Sequence, residues 1–570
     1  MRRAGRLELV LVAGLAALFV LGLARAAQLA WVCDDAFISL RYAQNLVLGD
    51  GLVYNPGERV EGYTNLLWTL ILAGLLALGI PPLRAAEIPG IAAYAALALG
   101  LARASWVRSR MQGLPFLPLA AGLVLVSDDF HVWATGGLET LLFAFLATEA
   151  LILLRLRPDS LRAALAAGVL LALLVLTRPD GLLFAGAGAA SPWFPTGGRD
   201  RATRLQRSLA TLAPVVLVLA VLVPWKLAYY GELLPTAFYA KSATRPYVSQ
   251  GLVYVGLYLA KNWFLLAAGG LALGSFALRR PVLPEASRGD ETFFLASAAL
   301  FTAYLVNVGG DFMFARRILP VVPLVLLALE SRVLRIPTPR IRNAAAAVTL
   351  TAAALPAPLY AQHRVIDDVA DERSFYPAAI LEARLRQGEA VGRALEGTPA
   401  RVAIEGGLLG FAYYSGLSYV VETTGLTQYS LAKLPLEHRG TIGHEKLVTA
   451  DWLAEHRIHF LMRYAPPPLF REPGPPRIDQ IFFGDLAVAQ ILFYDDAVMD
   501  PLRQRAGVDF VPIERVFAQT RREMREAPLA RAEELYAMLR DFYLRGAGAR
   551  SAAWDQELRR ILAQKRQGLE

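Results

Sequence analysis

Two adjacent carboxylates, Asp34 and Asp35, follow the first apolar run of the chain, which extends from Leu7 to Ala30. A helix of that length crosses about 30 Å of hydrocarbon, so the pair would stand at the water boundary. Acids at a helix end are often only solvated, but the residues that flank this pair are apolar and aromatic. Two carboxylates in a partly apolar setting repel, which raises the pKa of one of them. The pair is therefore predicted to be catalytic, with one general base and one positioning acid.

Four cations in the same kind of loop are candidates for binding a phosphate. Arg59 lies in GERVEGYTN, Lys241 in PTAFYAK, and Arg316 and Arg317 in GGDFMFARR. Each cation stands close to an apolar block, where a long basic side chain either reaches lipid headgroups or holds a substrate phosphate. We interpret the four as donor phosphate-binding residues, with anionic headgroups as the alternative ligand.

Further polar residues of these loops are predicted to bind substrate, although a role in the fold explains each of them as well. Glu139 opens a helix, where the helix dipole favours an acid, and Arg178 and Asp180 of TRPDG are close enough to pair with each other. The predicted substrate-binding residues are Arg41, Glu61, Tyr63, Glu139, Arg178, Asp180, Asp311 and His444.

Membrane spans are the elements that must position these loops. The chain has 570 residues, of which 55% are hydrophobic and only 19% charged, whereas soluble proteins have roughly 25% charged residues. Apolar blocks follow one another as far as residue 360. We therefore predict a multi-pass α-helical membrane domain over 1–360 and a soluble α/β domain over 361–570. Strand-like runs in the second part lie at 418–423, 459–462, 480–483 and 490–494.

The distribution of positive charge along the chain indicates how it is oriented in a membrane and does not indicate a nucleic-acid-binding surface. The net charge is +9, and arginines concentrate in short loops at 103–110, 155–162, 199–207, 279–280 and 332–342. With these loops in the cytoplasm, every candidate site loop faces outward. The path then has about eleven crossings, because only one of the blocks 66–80 and 85–102 can cross. The shorter block, 66–80, is predicted to be interfacial or re-entrant, and 361–570 is placed outside.

Cofactor chemistry has little support in the sequence. Cys33 is the single cysteine, which excludes a disulfide framework and a cysteine metal site. A divalent cation remains an alternative if the acids Asp34, Asp35, Asp128 and Asp129 converge. Because the lysine and arginines of the same loops can neutralise a monophosphate, we predict no required cofactor and no resident metal.

Taken together, the motifs resemble a known family. From DDAFISLRYAQNLVLGDGLVYNPGERVEGYTNLLWT through GGLET, TRPDGLLF, GELLPTAFYAK, GGDFMFARRILP and GLTQYSLAKLP, the chain is similar to the GT-C glycosyltransferases. Within them it most resembles the group that contains the terminal arabinofuranosyltransferase of the mycobacterial cell wall. The resemblance implies a catalytic centre at Asp34 and Asp35 and a polyprenyl-phosphate sugar donor. It also implies a C-terminal extracytoplasmic domain that helps to bind the acceptor.

These inferences predict a membrane glycosyltransferase in a bacterial plasma membrane, with its active site on the extracytoplasmic face. It would move a sugar, with arabinofuranose as the candidate, from polyprenyl phosphate to a glycan, lipid or protein acceptor. Two other classes stay open, a transporter or flippase of a lipid-linked substrate and a non-catalytic cell-envelope scaffold. Transporters tend to place charges at the midplane and to carry internal repeats, and a scaffold would leave the acidic pair without a role.

Overall fold

A helical bundle precedes a mixed β-sheet in the computed structural model, which describes residues 2–113, 115–194, 200–266, 285–463, 480–544 and 550–568. Short 3₁₀ helices lie at Ser191–Trp193 and Leu319–Val321. The α-helices of the bundle are Arg2–Gln28, Ala36–Leu48, Leu66–Ala77, Pro82–Gln112, Leu119–Val126, Asp128–Thr135, Thr140–Leu156, Leu161–Thr177, Gly181–Ala190, Arg201–Tyr230, Thr236–Ala240, Val248–Lys261, Glu285–Val308, Val322–Leu334 and Pro339–Ala353.

Several of these helices have the length and composition of membrane spans. In two of them, Glu8–Gln28 and Arg201–Tyr230, only 11% and 17% of the apolar stretch is buried inside the protein. Apolar surface of that extent does not stay exposed to water, so the protein is a helical membrane protein. In the described chain, four helices are candidate spans: Glu8–Gln28, Pro82–Met111, Arg201–Tyr230 and Gly289–Val308. The helices Asp128–Thr135 and Thr140–Leu156 meet at an angle of 117° and would form a fifth span together.

The prediction of a helical membrane protein is confirmed, whereas the path of the chain and its eleven crossings stay predictions. Leu66–Ala77 has 12 residues, or about 18 Å, and is too short to cross, as expected of the interfacial segment. The block at 115–127 contains only the eight-residue helix Leu119–Val126, because Pro118 caps its start and Ser127 is extended at its end. The later part of the block at 251–278 and the loop at 279–280 lie outside the described residues.

Arginines from the basic loops meet at one end of the bundle, which we call the basic end. They pair there with buried acids, and the pairs join loops that are far apart in the sequence. The loops at 103–110, 155–162 and 332–342 therefore lie on one side, as the charge distribution predicts; which face of the membrane this side occupies stays a prediction. The ion pairs are Arg108–Glu330, Arg155–Asp290, Arg332–Glu291 and Arg335–Glu291.

A six-stranded sheet forms the centre of the chain beyond the bundle. Its order is β4-β3-β5-β7-β6-β8, in which β3 pairs in parallel with β4 and β5 and the other neighbours are antiparallel. The strands are β1 (Val365–Ile366) and β2 (Val369–Ala370), which form a separate hairpin, and β3 (Val402–Ile404), β4 (Val420–Glu422), β5 (Phe460–Met462), β6 (Gln480–Phe483), β7 (Ala487–Ile491) and β8 (Val508–Phe510). The helices are Ala378–Leu395, Leu409–Ser415, Tyr429–Ala432, Ala450–Glu455, Asp496–Leu502, Ile513–Glu526, Leu529–Met538 and Arg550–Arg566, with the 3₁₀ helix Glu372–Phe375 and the π-helix Leu539–Leu544.

Three of the four predicted strands are confirmed, because β4, β5 and β6 lie within 418–423, 459–462 and 480–483. The fourth prediction, 490–494, was displaced: β7 ends at Ile491, since its partner β5 begins at Phe460. The division of the chain at residue 360 stays a prediction.

Candidate active site

The turn that carries the acidic pair is fixed by close packing against the segment before Glu139. Cys33 donates its backbone N–H to the carbonyl of Gly136 at 3.0 Å. Gly137 follows with φ +77°, and a Cβ there would lie 2.9 Å from Cβ of Ala36. Only glycine meets both conditions without strain. This approach brings the first turn of the helix Ala36–Leu48 alongside Glu139.

The two acids have different surroundings. Asp34 is buried, and its carboxylate oxygens accept the backbone N–H groups of Leu409 and Gly410, each at 3.1 Å. Burial outweighs these bonds and raises the pKa of Asp34 to about 6. The Asp35 side chain is 25% exposed, lines a cavity and has Nη1 of Arg316 at 3.7 Å. Asp34 therefore ties the bundle to the part of the chain with the sheet, and Asp35 is the carboxylate that a ligand can reach.

The cavity at Asp35, called here the small cavity, has a volume of about 220 Å³. Four cations and three carboxylates line it, which leaves an excess of one formal positive charge and suits an anionic ligand. Tyr63, Asn65 and Tyr304 add polar groups, and Leu234 and Phe238 belong to its apolar wall. Its charged residues are Asp35, Glu139, Arg178, Asp180, Lys241, Arg316 and Arg317.

Most charges on one side of the small cavity hold one another. Arg178 donates to Glu139 at 2.9 Å and to the two oxygens of Asp180 at 3.0 and 2.9 Å. Arg317 reaches Asp180 at 2.7 Å, and Asn65 donates to Glu139 at 2.8 Å. Burial would raise the pKa of Asp180, but the two guanidinium groups hold it below its ordinary value. The acids of this network therefore orient the arginines.

Lys241 and Arg316 are the cations on the other side. Arg316 donates its Nε–H to the buried carboxylate of Asp311. For Lys241, the described part of the chain offers no side-chain hydrogen bond or ion pair, and burial lowers its pKa to about 8.

The neighbouring residues Ser242 (φ +46°) and Ala315 (φ +65°) have left-handed backbone, which is strained for side chains of this kind. Such strain persists at ligand sites when the surroundings impose it.

Two predicted substrate-binding residues lie outside the small cavity, in internal contacts of the protein. Arg41 is buried and donates to the carbonyls of Tyr54 at 2.7 Å and Leu417 at 2.6 Å. Glu61 pairs with Lys226 at 2.8 Å, and burial raises its pKa to about 7 against the effect of that lysine. Arg41 thus joins the bundle to the segment before β4.

Two more predicted residues, Arg59 and Asp311, do not line the small cavity and so do not contact a ligand there directly. Arg59 is exposed, and its guanidinium lies over the ring of Tyr229 with 4.8 Å to the centroid. Asp311 acts through Arg316 rather than by lining the small cavity. Of the predicted phosphate-binding residues, the structure brings Lys241, Arg316 and Arg317 together and leaves Arg59 apart.

His444, the last predicted residue, lines a larger cavity of about 900 Å³ on the side of the sheet. Its ring meets Phe312 edge-on at 4.9 Å between centroids, and burial lowers its pKa. Ile442 lines the small cavity, and a Cβ at Gly443 would lie 3.4 Å from Cε of Lys241. The segment 442–444 therefore borders both cavities, with Ile442 on the small one and His444 on the larger one.

The four acids that would have to converge on a metal ion do not do so. Asp128 pairs with Arg25 at 3.1 Å and Asp129 with Lys261 at 2.5 Å, while Asp34 is bound to backbone. Over the residues that the structure describes, no group of three or more His, Cys, Asp or Glu side chains could hold a metal ion. Independence of metal stays a prediction.

Sequence patterns did not single out Ser39, Tyr304 or Glu372. Ser39 and Tyr304 line the small cavity, where the Tyr304 hydroxyl lies 3.4 Å from Nη2 of Arg317, and Glu372 lines the larger one. Ser39 and Tyr304 belong to helices with ordinary apolar patterns. The only local signal for Glu372 is an acid next to the aromatic residues of RSFY.

The chain is similar over about half of its length to two curated transferases. It is 30% identical over 327 residues to the terminal β-(1→2)-arabinofuranosyltransferase of Mycobacterium tuberculosis. That alignment covers 51% of this chain and 50% of the other protein. The predicted resemblance is confirmed. The enzyme of the same name from Corynebacterium glutamicum is 28% identical over 328 residues, or 51% of this chain and 46% of that protein. The chain thus spans about half the length of the arabinofuranosyltransferases it matches.

No family model matches the chain. Among solved structures, ArnT from Cupriavidus metallidurans bound to undecaprenyl phosphate aligns with a TM-score of 0.41 and 18% sequence identity. That alignment covers 77% of this chain and 77% of the other.

Proposed function

We propose that the protein is a membrane glycosyltransferase that moves a sugar from a polyprenyl-phosphate donor to a hydroxyl group of an acceptor. The observation that carries the proposal is the small cavity, in which one accessible carboxylate, Asp35, faces four cations. Similarity to two arabinofuranosyltransferases supports sugar transfer and makes arabinofuranose the first sugar to test.

Asp35 is the general base of this reaction. It accepts the proton of the acceptor hydroxyl while the hydroxyl oxygen bonds to the anomeric carbon of the donor sugar. The bond between that carbon and the phosphate oxygen breaks, and its electron pair leaves with polyprenyl phosphate. The products are the glycosylated acceptor, polyprenyl phosphate and a proton on Asp35. Asp34, held by two backbone N–H groups, keeps the turn in the orientation that this step needs.

The cations stabilise the phosphate as its negative charge grows. Lys241 brings an ammonium group without an ion-pair partner in the described chain, and Arg317 is oriented by Asp180. Arg316 is oriented by Asp311 and extends Nη1 towards Asp35. A guanidinium can give a phosphate two parallel N–H bonds, and cations fixed before the reaction need no reorganisation during it. A monophosphate can therefore be neutralised by side chains alone.

The acceptor enters through the larger cavity in this proposal. Glu405, Arg463 and Gln490 offer polar groups there, and Phe375 and Tyr376 offer aromatic surface. The small cavity lies at the end of the bundle away from the basic loops, which supports an active site on the extracytoplasmic face of a bacterial plasma membrane. A glycan, lipid or protein hydroxyl satisfies the chemistry.

Purified protein in proteoliposomes, given radiolabelled polyprenyl-phosphate arabinose and an arabinofuranose oligosaccharide, tests the proposal. We expect label in the oligosaccharide and release of polyprenyl phosphate. A flippase would move the donor across the bilayer without chemical change, and a scaffold would leave it where it is. Failure to transfer from arabinose, mannose and glucose donors alike would rule out the proposed reaction.

A further inference from the structure

Glu372 is a buried carboxyl on the wall of the larger cavity. Its residue surface is 8% exposed. In the described part of the chain, no hydrogen bond or ion pair reaches its side chain. A carboxyl without a partner in the protein takes its hydrogen bonds from what occupies the cavity, water or a ligand, because polar groups in protein interiors are nearly always bonded. The missing partner is therefore to be sought in the cavity that Glu372 lines.

Two hydrogen bonds hold the segment around Glu372 next to the turn that carries Asp34 and Asp35. Phe314, in the loop that leads to the cavity arginines, donates its N–H to the carbonyl of Ala370 at 2.9 Å. On the other side, Arg373 donates Nε–H to the carbonyl of Leu29 at 2.9 Å, just before the acidic turn. The segment is thus held between the two loops that supply the reaction's base and its cations.

Electrostatic effects agree with this position. Burial, followed by the charge of Asp35, raises the pKa of Glu372 to about 8, and Arg316 opposes the shift. The neutral carboxyl is then the main form at about pH 7, and it can both donate and accept a hydrogen bond. The titratable and charged groups that act on it or that it acts on are Asp34, Asp35, Asp311, Arg316, Cys33 and Tyr376.

We infer that Glu372 binds a hydroxyl group of the acceptor in the larger cavity and holds the acceptor towards Asp35. This inference rests on the proposed function and adds an acceptor-binding residue to it. A sugar hydroxyl both donates and accepts hydrogen bonds, which matches a carboxyl that lacks a protein partner. The donor, with its phosphate at Lys241 and the arginines, lies on the other side of Asp35.

Two substitutions separate binding from support of the fold. Glu372→Ala removes the hydrogen-bonding group, so we expect the acceptor KM to rise about 10-fold near pH 7 while the donor KM stays unchanged. Glu372→Gln keeps one donor and one acceptor in the same shape, so its acceptor KM should stay within about 3-fold of wild type. Both are measured with the arabinofuranose oligosaccharide in proteoliposomes.

The pH dependence gives a readout that a merely structural role would not change. As the pH rises through about 8, Glu372 loses its proton and places a second negative charge beside Asp35. The wild-type acceptor KM should therefore rise between about pH 7 and pH 9, and that rise should be absent in Glu372→Gln. Asp371→Asn makes the same chemical change one residue earlier, at a side chain that lines neither cavity. It should keep the wild-type profile.

The outcomes distinguish this inference from the proposed function. An unchanged acceptor KM in folded Glu372→Ala, or a wild-type alkaline rise in Glu372→Gln, would overturn the inference while transfer itself persists. Absence of transfer in the wild-type protein would contradict the proposed function and the inference together. Thermal unfolding of each variant in detergent checks folding. If Glu372→Ala does not fold, the comparison of wild type with Glu372→Gln decides.

Discussion

Buried arginine–carboxylate pairs occur at both ends of the helical bundle, but their surroundings differ. At the basic end, Glu330 is fully buried and accepts hydrogen bonds from Arg108 and from Ser105 at 2.8 and 2.9 Å. At the other end, Asp35 faces the small cavity, with Arg316 at 3.7 Å. A carboxylate surrounded by protein donors stabilises the fold, whereas a carboxylate beside a cavity is available to a substrate. Substitutions at the basic end should therefore lower the stability of the protein, and substitutions at the small cavity should lower the rate of transfer.

Apart from loss of the Asp35 carboxylate, the largest effect is expected from removal of two cations at the small cavity. The double variant Arg316→Ala, Arg317→Ala should lower the efficiency of transfer at least about 100-fold, mainly through the donor KM, because two oriented guanidinium groups are lost. Arg316→Lys keeps the charge but not the paired N–H donors, and it should be intermediate.

Arg59→Ala is the matched control for the double variant. It also removes an arginine near the membrane, but one that is exposed on the ring of Tyr229. We expect transfer within about 2-fold of wild type. Because Asp311 loses its partner in the double variant, thermal unfolding must accompany the kinetics. Unchanged donor affinity in the folded double variant would show that these arginines serve lipid headgroups.

At the basic end we expect loss of stability without loss of chemistry. Glu330→Gln leaves the buried guanidinium of Arg108 without a charged partner and should lower the free energy of unfolding by about 3 kcal/mol. Denaturation in detergent measures this change, and transfer per folded molecule should equal that of wild type. Wild-type stability combined with lost transfer would reverse the roles assigned to the two ends.

Asp34→Asn tests whether the neighbouring acids differ as their contacts imply. An amide oxygen accepts hydrogen bonds from Leu409 and Gly410 less strongly than a carboxylate. The turn should loosen, and transfer should fall about 10-fold rather than disappear. Complete loss of transfer in this variant would make Asp34 part of the chemistry.

The raised pKa of Asp34 adds a stability measurement. Its folded-state pKa of about 6 lies above the ordinary value, so the folded protein binds the proton more tightly than the unfolded chain. The contribution of Asp34 therefore makes the free energy of unfolding decrease as the pH rises from about 4 to about 6. That slope should be smaller in Asp34→Asn.

The smallest effect is expected from removal of divalent cations. Lys241, Arg316 and Arg317 supply positive charge at the small cavity, so EDTA should leave the transfer rate within about 2-fold. Complete loss of activity in EDTA, restored by Mg²⁺ or Mn²⁺, would show that side chains alone do not neutralise the phosphate.

The sequence could predict features that leave a local pattern. Apolar runs, short basic loops and the strands at 418–423, 459–462 and 480–483 depend on neighbouring residues, as does the position of the acidic pair after the first span. The ring of charges at the small cavity was predicted only as separate candidates, because its members lie in different loops.

Contacts between distant segments could not be predicted from the pattern. Asp34 differs from Asp35 because it accepts a hydrogen bond from the backbone N–H of Leu409, which lies 375 positions further along the chain. Arg41 was predicted to bind substrate, but it donates hydrogen bonds to carbonyls of a segment more than 370 positions away. For Glu372 the sequence offers only an acid next to aromatic residues, because its place beside the larger cavity depends on contacts with two distant loops.

The central claim is that Asp35, rather than Asp34, takes the acceptor proton. Single-turnover transfer in proteoliposomes preloaded with labelled donor measures the chemical step apart from donor binding. We predict a rate about 1,000-fold below wild type for Asp35→Asn, with unchanged donor affinity and unfolding temperature, and about one tenth of the wild-type rate for Asp34→Asn. A folded Asp35→Asn variant that transfers within 10-fold of wild type would contradict the assignment.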